Sequence, residues 1–186
     1  MLADQDPLES KSAYIRGVQT AGVAATAKHF PGFHNIALDP AIEPGAVVTE
    51  KADSFKPGFI PFADAIGNGV ELIMVGPSIV EAFDNEKPAS ISPQIIGMLR
   101  SEFGFKGVVM SDDLDSRATL RDCSVEEVAI DALNAGSDYL LLAAIDRQLE
   151  RVVAAICSAV EKGDLAEKRL IEAGAKVRAL AEKYSR

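Results

Sequence analysis

The chain has 186 residues, of which 48% are hydrophobic and 25% are charged, and no apolar run in it is long enough to cross a bilayer. This length and apolar fraction fit one soluble globular domain with a sizeable core, which excludes disorder over most of the chain. The 19 basic residues are outnumbered by 28 acidic ones, and the resulting net charge of −9 argues against nucleic acid as a partner.

Local motifs for cofactors and for export are missing from the sequence. The two cysteines, Cys123 and Cys157, lie in segments predicted to be helical and lack the spacing of a zinc site, so we interpret them as reduced core thiols. We find no metal-ligand set, phosphate-binding glycine loop or nucleotide fingerprint, and we therefore assign no cofactor. The first nine residues are acidic and polar rather than signal-like, which predicts a cytoplasmic protein.

Helical and strand-like segments alternate along the chain. Helices with an apolar face are predicted at 8–20, around 62–66, at 92–103, 124–136, 147–162 and 165–184. Ser92 followed by Pro93, and the capping box that begins at Ser124, mark two of the helix starts. Short apolar runs typical of buried strands lie at 23–27, 71–75, 108–110 and 139–142. This alternation predicts an α/β fold of parallel βα units, because parallel neighbours need a helical crossover.

Polar residues follow two of the predicted strands directly. In parallel α/β folds the chemistry gathers at the carboxyl ends of the strands. Lys28 and His29 follow the first strand and could donate hydrogen bonds to a substrate, although a structural ion pair and a core histidine are the alternatives. Asp112 and Asp113 follow the third strand, and one of them could be a nucleophile; alternatively, one caps a helix and the other pairs with a basic residue.

Several segments, in their order and spacing, point to one family. The segments 25–32, 88–100 and 103–114 strongly resemble glycoside hydrolase family 3, in particular its β-N-acetylhexosaminidase branch. The segments 14–17 and 132–138 are also similar to that family, so the resemblance extends over nearly the whole chain.

The resemblance implies a (β/α)₈ barrel of the TIM type and a retaining hydrolysis of β-linked N-acetylglucosamine or a related β-sugar. The aspartate after the serine, Asp112, corresponds to the nucleophile, which forms a glycosyl-enzyme intermediate that water then cleaves. Lys28 and His29 match the sugar-binding pair, and we place Asp113 beside them in the substrate-binding set.

One departure concerns the acid catalyst. Aligned without gaps, the chain has Phe33 and His34 where the branch has His-Gly, and its loop has Asp39 followed by Ala41 where the branch has an Asp-x-His dyad. Alanine cannot protonate a leaving oxygen, and a positioned acid is worth about 10²- to 10⁴-fold in rate. His34 and Asp39 are the candidate catalytic substitutes, together with Glu43; alternatively, His34 is a surface loop histidine.

Other departures concern the rest of the site. The family's Met-x-Ala-His is here Met74 to Pro77, and the segment Met1 to Pro7 lacks the family's sugar-contacting arginine. Only four strands are predicted, whereas a closed barrel has eight and about 250 residues. We therefore expect residues 1–186 to be a single domain that corresponds to the C-terminal half of the family's barrel.

Such a half barrel leaves strand edges and an apolar face uncovered. We expect it to form a homo-oligomer, or to be completed by a first half barrel on a longer or separate chain.

Three functions are compatible with these residues. The first is a retaining glycoside hydrolase with Asp112 as nucleophile. The second is a degenerate sugar-binding or interaction module, which the alanine at position 41 favours. The third is Schiff-base chemistry at Lys28, as lysines in apolar sites perform.

Overall fold

The computed structural model describes residues 7–144 and 148–185, with side chains from residue 11 onward. Residues 1–6 of the Met1 to Pro7 segment, and the predicted start of a helix at Arg147, lie outside the described residues. The helices are α1 (Pro7–Thr20), α2 (Ala52–Gly67), α3 (Pro93–Ser101), α4 (Arg117–Leu120), α5 (Val125–Ala135), α6 (Leu149–Lys162) and α7 (Glu167–Tyr184). The strands are β1 (Thr26–Phe30), β2 (Val47–Val48), β3 (Leu72–Val75), β4 (Ile79–Val80), β5 (Asp84–Pro88), β6 (Val108–Asp113) and β7 (Tyr139–Leu141).

The main sheet has four strands in the order β1-β3-β6-β7, and every neighbouring pair in it is parallel. Val75 is in register with Phe30 on one side and with Ser111 on the other, so the carboxyl ends of three strands meet at one edge. Helices separate these strands in sequence, as parallel crossovers require. The predicted α/β class and the four parallel strands are confirmed.

The strands that carry the candidate residues differ from their predicted bounds. The first strand begins at Thr26 rather than at Val23, which is 59% exposed in the link after α1. Small alanines made this link look like a strand, although alanine has a low strand propensity. The third strand extends to Asp113. Lys28, His29 and the two aspartates therefore lie inside their strands, near the carboxyl ends, and not in the following loops.

Helix α2 is much longer than the predicted segment 62–66, since it begins at Ala52. Pro57 and Pro61 lie inside it. Proline removes a backbone donor and disfavours helix interiors, which is why the sequence pattern indicated only the last turns.

A second sheet of three strands, in the order β2-β4-β5, was not predicted. Two of its strands have only two residues each, which is too short for an alternating pattern to be recognised. Strands β4 and β5 lie in the connection between β3 and α3, whereas β2 comes from the connection between β1 and α2. Asp84 in β5 accepts a hydrogen bond from the Ser92 hydroxyl at 2.7 Å, and Ser92 also caps α3, so this sheet and that helix are joined.

An aromatic cluster forms the core between β1 and helix α2. Phe30 packs edge-on against Phe62 at 5.2 Å and against Phe103 at 5.5 Å between ring centroids, and Phe55 lies fully buried nearby.

The cysteines are not part of a core. Both are exposed thiols, and Cys123 lies in the turn before α5 rather than in a helix, so the predicted core position is wrong for both.

Asp138, immediately before β7, is the centre of a buried ionic network at the opposite end of the sheet. Its side chain is fully buried and pairs with Arg100 at 2.6 Å, Arg169 at 2.9 Å and Lys176 at 3.1 Å. The Val109 amide also donates to it at 3.1 Å. The network therefore joins α3, α7 and two strands of the sheet.

Among the described residues, no helix is long and apolar enough to span a bilayer.

Candidate functional site

The candidate site lies at the carboxyl edge of the main sheet. His29 on β1 and Asp112 on β6 belong to strands that flank β3, yet His29 Nε2 lies 3.5 Å from Asp112 Oδ2. Their side chains are 26% and 18% exposed, so ligands can reach a pair that is largely shielded from water. Lys28 precedes His29 on the strand and is exposed.

The end of β6 is held by hydrogen bonds to its surroundings. The Asp113 amide donates to Asp112 Oδ1 at 2.8 Å, which restrains the carboxylate that faces His29. The Ser111 hydroxyl accepts a hydrogen bond from the Leu141 amide at 2.9 Å, which ties β6 to β7. Asp115, just beyond the strand, accepts hydrogen bonds from two amides of the chain after β7. A rigid strand end therefore presents both aspartates.

Burial favours the neutral form of His29. Burial lowers the pKa of the imidazole below its usual value of 6.5, and the positive charge of Lys28 lowers it further. The Asp112 carboxylate acts in the opposite direction but does not outweigh burial. At neutral pH, His29 is therefore an uncharged ring that can donate one hydrogen bond and accept another.

The second aspartate is shifted towards its protonated form. Burial raises the pKa of Asp113 above its usual value of 3.8, and the neighbouring carboxylates of Asp112 and Asp115 raise it further. Lys28 partly offsets this effect. Adjacent carboxyl groups in different environments are typical of sites that handle protons and sugars.

A cleft of about 200 Å³ opens over these groups. Its lining residues are His29, Phe33, Asp39, Pro40, Ala41, Pro77, Asp112, Asp113 and Ser116. The loop that contains Ala41 is fixed in place, because its carbonyl oxygen and that of Pro40 accept hydrogen bonds from Arg117 and Ala118 at the start of α4. Asp39 accepts a hydrogen bond from the Ala41 amide at 2.9 Å.

The structure brings together five of the seven predicted site residues, and the exposed Glu43 is not among them. Four of them line the cleft, namely His29, Asp39, Asp112 and Asp113. The positive charge of Lys28 lowers the pKa values of His29 and Asp113.

His34 lies apart from the cleft. Its ring packs against Phe55 at 4.3 Å between centroids, under helix α2 and close to Gly58. Its catalytic role, like that of Asp39, stays a prediction.

A second, larger cleft of about 690 Å³ runs along the free edge of β1, between α1 and α2. Lys28, His29 and Phe33 line it, together with residues from both helices such as Tyr14 and Phe62. Tyr14 is 72% exposed there. This cleft shares the lining residues His29 and Phe33 with the smaller cleft at Asp112.

Sequence reasoning did not identify Phe33, Pro40 and Pro77 as residues of the site. They are apolar loop residues, and nothing in their type indicates a ligand site. Their proximity to the strand ends was the only available signal, since loops at this edge converge on one place. Among the described residues, no group of three or more His, Cys, Asp or Glu side chains is arranged to hold a metal ion.

Parallel βα units with polar groups at their carboxyl ends define a domain of the TIM-barrel type. The glycosyl hydrolase family 3 N-terminal domain matches residues 8–180. The chain belongs to glycoside hydrolase family 3.

Relatives and solved structures agree with this assignment. A β-hexosaminidase of Stenotrophomonas maltophilia strain K279a is 36% identical over 136 residues, which are 70% of this chain and 39% of that protein. A β-hexosaminidase of Nitrosomonas eutropha is 33% identical over 72% of this chain and 38% of its own length. The chain thus spans about two fifths of the curated relatives that it matches.

Two solved structures extend the comparison. The family 3 β-N-acetylglucosaminidase of Paenibacillus sp. str. FPU-7 superposes with a TM-score of 0.86 and 34% identity, covering 93% of this chain and 33% of that one. The β-N-acetylhexosaminidase of Beutenbergia cavernae gives a TM-score of 0.82 and 30% identity, covering 92% and 50%.

Proposed function

We propose that this chain provides the nucleophile half of a retaining glycoside hydrolase acting on terminal β-linked N-acetylglucosamine or a related β-sugar. The observation that carries the proposal is the approach of His29 to Asp112, beside Asp113, in one cleft at the carboxyl edge of the sheet. The relatives named β-hexosaminidases supply the sugar class.

In the proposed reaction, an Asp112 oxygen attacks the anomeric carbon while the bond to the leaving oxygen breaks. The leaving oxygen takes up a proton from an acid unless it departs as a stable anion. Water then attacks the anomeric carbon of the covalent intermediate and releases a proton, which regenerates the carboxylate. Lys28 and the neutral His29 hold sugar hydroxyls by donating hydrogen bonds.

Covalent capture tests the nucleophile. Incubation of the 186-residue chain with a fluorinated, activated β-glycoside should add one sugar mass at Asp112, detected by peptide mass spectrometry. Asp112→Asn should abolish the label, whereas Asp131→Asn, which removes a carboxylate of a surface ion pair with Lys87, should keep it. A folded chain that binds the sugar and takes up no label would contradict the assignment.

A second candidate function is sugar binding without turnover, and Ala41 favours it. This residue lines the cleft beside Asp112 at the position where the resemblance expects an acid catalyst. Titration with N-acetylglucosamine, combined with an assay on an activated aryl glycoside, separates the two functions. Binding without hydrolysis supports the module, and measurable turnover excludes it. Schiff-base chemistry has little support, because Lys28 is exposed to solvent, whereas Schiff-base lysines are activated by burial.

We further propose that the chain corresponds to the second half of a barrel and is completed by a partner half, either a first half barrel or a second copy. The four-stranded sheet has β1 and β7 at its edges, and the larger cleft beside β1 has an apolar lining. Light scattering on the purified chain tests self-association. A stable monomer that binds no apolar dye would contradict both forms of the proposal. A cytoplasmic location stays a prediction.

A further inference from the structure

Phe33 is a lining residue that the two clefts at the carboxyl edge of the sheet have in common. His29 on β1 also lines both clefts. The rings of these two residues lie 4.8 Å apart between centroids, at an interplanar angle of 34°. One side of the imidazole is therefore covered by an aromatic ring rather than by water.

Gly76, just beyond β3, provides the space that Phe33 occupies. A Cβ atom added at position 76 would lie 3.0 Å from Phe33 Cε1 and 3.5 Å from His29 Cβ. The first distance is shorter than ordinary carbon contacts of about 3.5–4.0 Å, so a side chain here would displace the phenyl ring. Gly76 is buried and its φ is not positive, hence the missing side chain matters for space rather than for backbone conformation.

The covered imidazole faces charged groups from several elements. Asp112 on β6 lies 3.5 Å from Nε2, Lys28 adjoins it on its own strand, and Asp39 and Asp113 line the same cleft. A ring that turned away from Phe33 would give up both its contact with the phenyl ring and its approach to Asp112.

We propose that Phe33, seated on Gly76, is a positioning residue that holds the His29 ring against Asp112 and keeps water from one of its sides. The proposal deepens the function proposed above, in which His29 binds the sugar beside the nucleophile. The positioning itself is a property of the unliganded chain, so it can be tested without turnover.

The test follows the imidazole resonances of the 186-residue chain by NMR as a function of pH. The chain has two histidines, and His34→Gln assigns the remaining signal to His29. Phe33→Ala should raise the pKa of His29 towards 6.5, because removing the phenyl ring admits water to the imidazole. In Phe33→Leu the pKa of His29 should lie between those of wild type and Phe33→Ala, since leucine also covers part of the imidazole ring.

Phe83→Ala is the matched control. Phe83 is a half-buried phenylalanine that packs on Phe55 and Phe59 rather than on His29, so its removal should weaken the fold but leave the pKa of His29 in place. If Phe33→Ala does not fold, Gly76→Ala perturbs the same contact by displacing the phenyl ring instead of removing it. It should move the Phe33 and His29 resonances together and reduce sugar affinity.

Two results would overturn the proposal. The first is a His29 titration that is the same in wild type and in folded Phe33→Ala. The second is a Gly76→Ala chain in which neither ring resonance moves. Absence of a covalent label at Asp112 together with the expected His29 shifts would contradict the hydrolase but support the positioning role.

Discussion

His29 and Asp112 meet over the end of a strand that lies between their own strands in the sheet. β3 separates β1 from β6, but it ends at Val75 and is followed by Gly76, which has no side chain to stand between the two residues. The 3.5 Å approach therefore depends on a short central strand as much as on the two residues themselves.

Neighbouring charges should move the pKa of His29 in opposite directions. The negative charge of Asp112 raises this pKa and the positive charge of Lys28 lowers it. Asp112→Asn should thus lower the pKa of His29 further, and Lys28→Met should raise it, as followed by NMR. Asp131→Asn, on the distant surface of α5, should leave it unchanged. A common direction of shift in the first two variants would disprove this electrostatic account.

The ionised side chain of Asp113 should lower the free energy of unfolding at neutral pH. Its pKa is raised in the folded state, so the unfolded chain loses its proton first as the pH rises above about 3.8. This loss of stability is therefore absent below about pH 3.8, and it is complete above the pKa that Asp113 has in the folded chain. Asp113→Asn should stabilise the chain by less than about 1 kcal/mol at pH 7, and the gain should disappear in acid.

Thermal unfolding of both chains across this pH range measures the difference. Asp122→Asn, which neutralises an exposed carboxylate in a turn, is the control and should give no such pH-dependent gain. An equal gain at pH 7 and in acid would show that ionisation of Asp113 is not its cause.

Restoring an acid at position 41 should create turnover of unactivated substrates if Asp112 is the nucleophile. Ala41 lines the cleft with Asp112, and its loop is fixed on α4 by backbone hydrogen bonds. Ala41→His should increase the hydrolysis of glycosides with poor leaving groups by about 10²- to 10⁴-fold, with little effect on activated aryl glycosides.

Ala37→His, an exposed position in the same connection, controls for the added imidazole. Equal gains in the two histidine variants would indicate that position 41 has no special access to the leaving oxygen.

Removing the buried carboxylate of Asp138 should destabilise the fold strongly. Its side chain is fully buried and compensates three cationic groups, so Asp138→Ala leaves their charges unpaired. We expect a loss of about 3–5 kcal/mol in the free energy of unfolding. Asp131→Ala breaks a pair with Lys87 in which both side chains are more than 40% exposed, and should cost less than about 1 kcal/mol. Urea unfolding compares the two losses, and similar values would refute the network's role.

Two glycines should respond oppositely to alanine. A Cβ at Gly107 would lie 2.4 Å from the Glu71 carbonyl oxygen, so Gly107→Ala should cost about 3 kcal/mol. Gly97 lies inside α3 with nothing within 4 Å of an added Cβ, and Gly97→Ala should stabilise by about 0.5–1 kcal/mol. The two melting temperatures should move in opposite directions, and a stable Gly107→Ala chain would contradict the steric argument.

Sequence patterns predicted the elements whose signals are local. The capping box at Ser124 and the Ser92-Pro93 start mark α5 and α3, and both caps are present in the structure. The apolar runs of β3 and β6 are buried along their length, so continuous hydrophobicity indicated them correctly.

The missed elements lacked such signals. The prolines of α2 disfavoured a helix prediction for its first turns, and the alanines after Gly22 gave an apolar run that resembled a strand. The two-residue strands β2 and β4 depend on contacts between residues distant in sequence. Cys123 looked apolar enough for a core, but whether a residue is buried depends on which elements pack against it.

The order of residues by itself determined the α/β class, the four parallel strands and the presence of Lys28, His29, Asp112 and Asp113 at strand ends, because side-chain periodicity and strand polarity are properties of each segment. Only the tertiary structure decided that His29 faces Asp112 across β3, that Phe33 covers His29 above Gly76, and that His34 packs on Phe55 instead. Those relationships arise from register and from the space that neighbouring side chains leave free, and neither is encoded in one stretch of the chain.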